Sequence, residues 1–149
     1  MVTSNQKGAR GETVIRDKLR LLTGLQFERV PSSGALDPKH GLKADLYLPG
    51  EKNLFAIEVK CYADDHLDSK VLSSTSPQLI EFWKQAVRQG LQVNKKPLLL
   101  FKFDRSKVFV AYDDIPNVVD HMFIYAKGYS FYVSLMDAWV LEEQPKFIQ

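Results

Sequence analysis

Apolar residues recur along this chain in two rhythms. Across residues 8–22 they come at helical spacing: Ile15, Leu19 and Leu22 fall at i, i+4 and i+7, with Val14 and Leu21 widening the face. Thr23-Gly24 is a helix stop. A second helical pattern covers 77–90, with Leu79, Phe82, Trp83 and Ala86 on its apolar face. Ser76 suits its N-cap, Pro77 its first position and Gly90 its end. Strand patterns occupy 25–30, 44–48, 54–60, 97–103, 108–112, 122–126 and 129–133, and Ser134 is placed to cap a short C-terminal helix. In 54–60, Phe55, Ile57 and Val59 alternate with Ala56, Glu58 and Lys60. Pro49-Gly50-Glu51-Lys52-Asn53 turns 44–48 into 54–60 as a hairpin. Residues 31–43, PSSGALDPKHGLK, read as a long loop, and loops of that length are often functional.

The order α, β, β, β, α, β, β and a mixed tail predicts an α/β fold, a mixed central β-sheet flanked by helices. The strands at 54–60 and 97–103, joined through a helix, are expected as parallel neighbours with a right-handed crossover. Neither a repeat nor a linker interrupts the pattern, so residues 1–149 are expected to form one domain. Composition adds little: 45% hydrophobic and 26% charged residues are ordinary for a folded protein. No apolar run is long enough to span a bilayer, and the polar N-terminus lacks a secretory h-region. A single cysteine, Cys61, forms no internal disulfide, which favours an intracellular, reducing location without a membrane partner. His66 and His121 lack zinc-ligand spacing.

The net charge of +2 neither demands nor excludes a nucleic-acid partner, but its distribution is uneven. Lys7, Arg10, Arg16, Lys18, Arg20 and Arg29 outnumber the acids between residues 7 and 29, whereas Asp113, Asp114 and Asp120 stand without a base. The basic stretch suits a polyanion or simply a solvated helix face.

Three acidic-x-Lys triplets occur, at Asp37, Glu58 and Asp68. Glu58-Val59-Lys60 alone lies in a strong strand pattern with an acid, Asp45, across a tight turn. Alternation places Glu58 and Lys60 on one face, about 7 Å apart at the backbone. Two carboxylates on adjoining strands can share a divalent cation, because Mg²⁺ takes oxygen ligands and keeps several waters. A neighbouring lysine can orient water or stabilise charge as a phosphodiester breaks. The alternative is the solvent face of an edge strand.

Glu12 in KGARGE, then Arg29-Val30-Pro31-Ser32-Ser33-Gly34, then Asp45, then Glu58-Val59-Lys60 form a longer series. Asp65-His66-Leu67, Leu79-Ile80-Glu81-Phe82, Pro97-Leu98-Leu99-Leu100 and Val133-Ser134-Leu135 continue it. The series resembles the archaeal-type Holliday-junction resolvases of the PD-(D/E)-x-K nuclease superfamily, over nearly the whole chain. The resemblance implies a restriction-endonuclease-like nuclease fold and a homodimer that makes paired symmetric incisions in a four-way DNA junction. It implies Glu12, Asp45 and Glu58 as ligands of Mg²⁺, with Mn²⁺ as a substitute, and Lys60 and Ser33 as further catalytic residues. Lys7, Arg10, Arg29, Ser32, Lys39 and His40 are the corresponding DNA-binding candidates. Gln78 lies near where some related nucleases carry an extra polar residue. Candidate interface residues are Phe109, Tyr112, Phe123, Tyr125, Phe131 and Trp139, some of which must be core, the commoner place for aromatic side chains. Two other readings remain: a nuclease of the same superfamily acting on flaps, nicks or duplex, and a noncatalytic DNA-binding module. Cellular and viral origins are both compatible with these residues.

Overall fold

A computed structural model describes residues 4–31 and 45–149, with the backbone alone for residues 4–9. The first helix, α1 (Ser4–Thr23), buries Ile15 and Leu19 completely. Its apolar face is narrower than the spacing predicts, because Val14 and Leu21 are 50% and 85% exposed. Gly24, at φ +73°, ends it, and the Gly24 N–H closes on the Arg20 carbonyl.

Three strands follow: β1 (Glu28–Arg29), β2 (Leu46–Tyr47) and β3 (Phe55–Tyr62). The first two are shorter than the apolar pattern predicts. Asn53 secures the turn into β3, since its side chain accepts the Leu48 N–H and donates to the Leu48 carbonyl. A short helix, α2 (Lys70–Ser73), lies in the polar run where no helical period was legible. In α3 (Gln78–Val93), Pro77 rather than Ser76 occupies the cap position. This helix continues past Gly90 to Asn94, which takes the left-handed conformation. Gly90 serves a close approach instead: a Cβ there would meet the Lys95 carbonyl oxygen at 2.6 Å, where the chain turns back.

The remaining elements are β4 (Lys96–Phe103), β5 (Phe109–Tyr112), β6 (Met122–Ala126), β7 (Tyr129–Leu135) and α4 (Met136–Ala138). A π-helical turn, Trp139–Glu143, extends α4. Ser134 is not a helix cap. It lies inside β7, buried, with its hydroxyl 2.7 Å from that of Tyr112.

The strands form a seven-stranded sheet ordered β1-β2-β3-β4-β5-β7-β6. β3 and β4 are parallel, as the crossover requires, and pair Glu58 with Leu99 and Lys60 with Phe101. The other neighbours are antiparallel. Ile15 and Leu19 of α1, with Trp139 and Phe147, cover one face over Ile57, Leu98 and Val110. Leu79, Ile80 and Trp83 of α3 cover the other over Leu99, Phe101 and Phe131. The fold is therefore the mixed α/β sheet with flanking helices expected of a restriction-endonuclease-like protein. Of the aromatic interface candidates, Tyr112, Phe131 and Trp139 are core residues, and Phe109 packs half-buried on Phe101 and Phe103. Phe123 and Tyr125 are 56% and 70% exposed on β6, at the sheet edge.

Candidate active site

The hairpin of β2 and β3 brings two acids together, one just before β2 and one within β3. Asp45 stands just before β2, and its backbone N–H donates to the Ile57 carbonyl at 2.7 Å. Its carboxylate accepts the Val59 N–H, also at 2.7 Å, which fixes the side chain beside β3. Glu58 is 3% exposed, a rare position for a carboxylate. Lys60 follows on the same face, its Nζ 3.3 Å from Glu58 Oε1. The other oxygen, Glu58 Oε2, is buried and has no hydrogen-bond partner among the described residues.

The electrostatics follow from this crowding. Burial, then repulsion from Glu58, push the Asp45 carboxyl up to about 8, against the opposing bond from Val59. Burial also raises Glu58, although the Lys60 ammonium pulls it down, and the two carboxyls can hydrogen-bond when one is protonated. The single ammonium of Lys60 faces two acids, so both cannot be ionised without net negative charge remaining in the site. Oxygen donors, an orphaned buried oxygen and an acid pair only partly offset by one lysine are what a hard divalent cation satisfies.

Glu12, in the middle of α1, adds to the negative potential felt by both acids. Its carboxylate is engaged by Arg29 of β1, Oε2 to Nε at 2.9 Å. Among the described residues, no three His, Cys, Asp or Glu side chains converge as a ready-made metal cage. The structure thus joins Asp45, Glu58 and Lys60 directly and places Glu12 in their field, turned onto Arg29.

Arg29, a DNA-contact candidate, is accordingly paired with an acid. Arg10 is exposed at the rim of a 330 Å³ pocket with Gly11, Cys61 and Lys102. Ser32, Ser33, Lys39 and His40 lie outside the described residues, as does the side chain of Lys7. Gln78 is exposed at the first position of α3. A larger cleft of about 1020 Å³ opens elsewhere, between Phe55, Lys95, Tyr112 and Trp139, and contains none of the candidate catalytic groups.

One neighbourhood of the site carries no sequence motif. The apolar period of α3 marks Phe82 as a plain core residue, but Lys60 Nζ lies 5.5 Å from its ring centroid. Phe82 also packs on Tyr62, which packs on His66. The signal was the period itself, since Tyr62 continues the Glu58–Lys60 face by two residues.

A mixed sheet with an acid-x-Lys strand beside a second acid at the head of the neighbouring strand defines a PD-(D/E)-x-K nuclease class of site. Residues 3–148 match the family described as "Phage putative PDDEXK endonuclease", and the chain belongs to that family. It is similar to Protein D14 of Escherichia phage T5, with 40% identity over 148 residues covering 93% of this chain and 92% of the relative. No solved structure matches it. Among the described residues, no helix is long and apolar enough to cross a membrane.

Proposed function

We propose that this protein is a phage-encoded, Mg²⁺-dependent endodeoxyribonuclease that resolves four-way DNA junctions by paired symmetric incisions as a homodimer. The observation that carries the nuclease reading is the buried Asp45–Glu58 pair beside Lys60. The phage relative supports the origin. The motif series shared with archaeal-type resolvases supports the junction as substrate.

Asp45 and Glu58 would hold Mg²⁺, with Glu12 joining them on release from Arg29. The bound cation would polarise the scissile phosphate and acidify a ligand water. The chain's own groups do the rest. The Val59 N–H keeps Asp45 aimed, and burial keeps bulk water off Glu58. Lys60 orients the attacking water or stabilises negative charge on the phosphate. Hydrolysis forms one P–O bond from water and breaks one P–O bond to a sugar, and the departing oxygen takes up a proton.

Lys7, Arg10, Arg29, Ser32, Lys39 and His40 are the proposed DNA contacts, and Ser33 is a further catalytic candidate. A homodimer is supported by β6, an edge strand of five uncharged residues that exposes Phe123 and Tyr125. Two-fold symmetry would present two active sites to symmetry-related strands of the junction.

The test is cleavage of an immobile synthetic four-way junction beside linear duplex, with and without Mg²⁺. Symmetric, metal-dependent nicking of the junction alone is expected. Equal cutting of duplex, flaps or nicks would reassign the substrate within the same superfamily. Tight junction binding without cleavage in Mg²⁺ or Mn²⁺ would remove the catalytic assignment.

A further inference from the structure

We infer that His66, Tyr62 and Phe82 form a stacking platform for an unpaired nucleobase beside the phosphate addressed by Lys60 and the carboxylate pair. The inference rests on the nuclease reading above and deepens it. It makes local loss of base pairing a requirement at the cut site.

The placement comes from strand geometry. Alternation along β3 puts Glu58, Lys60 and Tyr62 on one face. The Lys60 ammonium lies 5.5 Å from the Phe82 ring centroid. Phe82 lies 5.2 Å from Tyr62, and Tyr62 lies 4.4 Å from His66. Rings therefore continue outward without a gap from the group that would contact the scissile phosphate. Successive stacked nucleotides rise only about 3.4 Å, so a base next to that phosphate falls within reach of the rings.

Exposure sets the stack apart from the core. The rings of the second core, such as Trp83, Phe101 and Phe131, are fully buried, whereas Tyr62, His66 and Phe82 remain half-buried. The loop carrying His66 is shaped locally, because Asp65 Oδ1 accepts the Leu67 N–H at 2.7 Å.

Charge selects the occupant. Asp64 and Asp65 immediately precede His66 and are exposed. Their negative charge disfavours a phosphate on the rings and is compatible with a neutral base, whose exocyclic amino groups can donate to a carboxylate. Bases within a duplex have their faces covered by neighbours, so only an unpaired or extruded base can use the platform.

The test uses whichever DNA the wild-type protein cuts among junction, flap, nicked and linear substrates. 2-Aminopurine is placed in turn at each nucleotide flanking the cut, and binding is followed in Ca²⁺ in place of Mg²⁺. Wild type is expected to quench emission at one flanking position. His66→Ala should lose that quench and cut about tenfold more slowly or worse. His66→Phe should restore both, because a ring rather than an imidazole is required. An abasic site at the same nucleotide should slow wild type and shrink the difference between wild type and His66→Ala. Absence of any position-specific quench, or unchanged cutting by His66→Ala, would overturn the platform while leaving the nuclease reading intact. A wild-type protein that cuts no DNA in Mg²⁺ or Mn²⁺ would overturn the nuclease reading and the platform with it. Melting curves for each variant separate a lost contact from a lost fold.

Discussion

The Arg29 guanidinium sits 2.9 Å from the Glu12 carboxylate and ties the first helix to the first strand. Both side chains are partly solvated, at 36% and 22% exposure, so the pair itself adds about 1 kcal/mol or less to stability. Its chemical effect is competition, because an acid engaged by arginine is less available to a cation. Arg29→Gln should leave the melting temperature nearly unchanged and tighten Mg²⁺ binding several-fold. Titration calorimetry without DNA is the check, since phosphates would otherwise mask the effect. Glu12→Gln should weaken metal-supported cleavage by about 10–100-fold.

Asp45 makes metal-free stability depend on pH with an unusual sign. Its folded-state value of about 8 lies above the ordinary 3.8. Between those limits the folded chain retains a proton that the unfolded chain has released. Stability conferred by that retained proton therefore falls as pH rises from about 4 towards 8. In EDTA, the wild-type melting temperature should decline over this window, and Asp45→Asn should flatten the decline. Divalent cation should recover the wild type at pH 8 and should do less for Asp45→Asn. The same variant should lose cleavage and still bind DNA. A steeper decline in the variant would contradict the assigned cause.

Lys60→Met keeps most of the stem that lies by Phe82 and removes the ammonium. Cleavage should fall by about 100-fold or more if Lys60 stabilises charge at the reacting phosphate. Metal binding should not weaken, because the lost group is a cation near Glu58. A parallel loss of metal affinity in calorimetry would instead make Lys60 a support for the ligands.

Gly11 lets the first helix lie directly on β3, where an added Cβ would come within 2.7 Å of Cys61 Cβ. Alanine normally favours a helix over glycine by about 1 kcal/mol. At this position the overlap should dominate, and Gly11→Ala should destabilise by about 1–3 kcal/mol in chemical denaturation. Cleavage should fall too, because Glu12 is the next residue. A more stable Gly11→Ala protein would show that the helix–strand contact yields easily.

The long elements were legible because their side chains obey one period over many residues. The strand at 54–60, the helix from Leu79 and the strand at 97–103 carry unbroken patterns, and they form the parallel pair and its crossover. Boundaries followed other forces. Gly90 reads as a stop, but close packing against the chain at Lys95 keeps it within the helix. Ser134 reads as a cap, but a partner hydroxyl on Tyr112 lets it stay buried in a strand. Asp45, Glu58 and Lys60 were identifiable because the hairpin is local and alternation fixes their faces. The pairing of Glu12 with Arg29 was not, because it joins residues 17 positions apart from two elements whose packing no period encodes. The same holds for Phe82 against Lys60, which the crossover alone brings together.

The parallel pairing of β3 and β4 has a kinetic side. The hairpin closes over about eleven residues, from Leu46 to Ile57. The crossover joins Phe55 to Lys96, about forty residues apart. Closing the longer loop carries the greater entropy penalty before any contact compensates, so the crossover is the slower event. The two acids can therefore meet in a chain that has not yet set Phe82 beside Lys60. Refolding experiments should then show affinity for divalent cation appearing before the ability to cut.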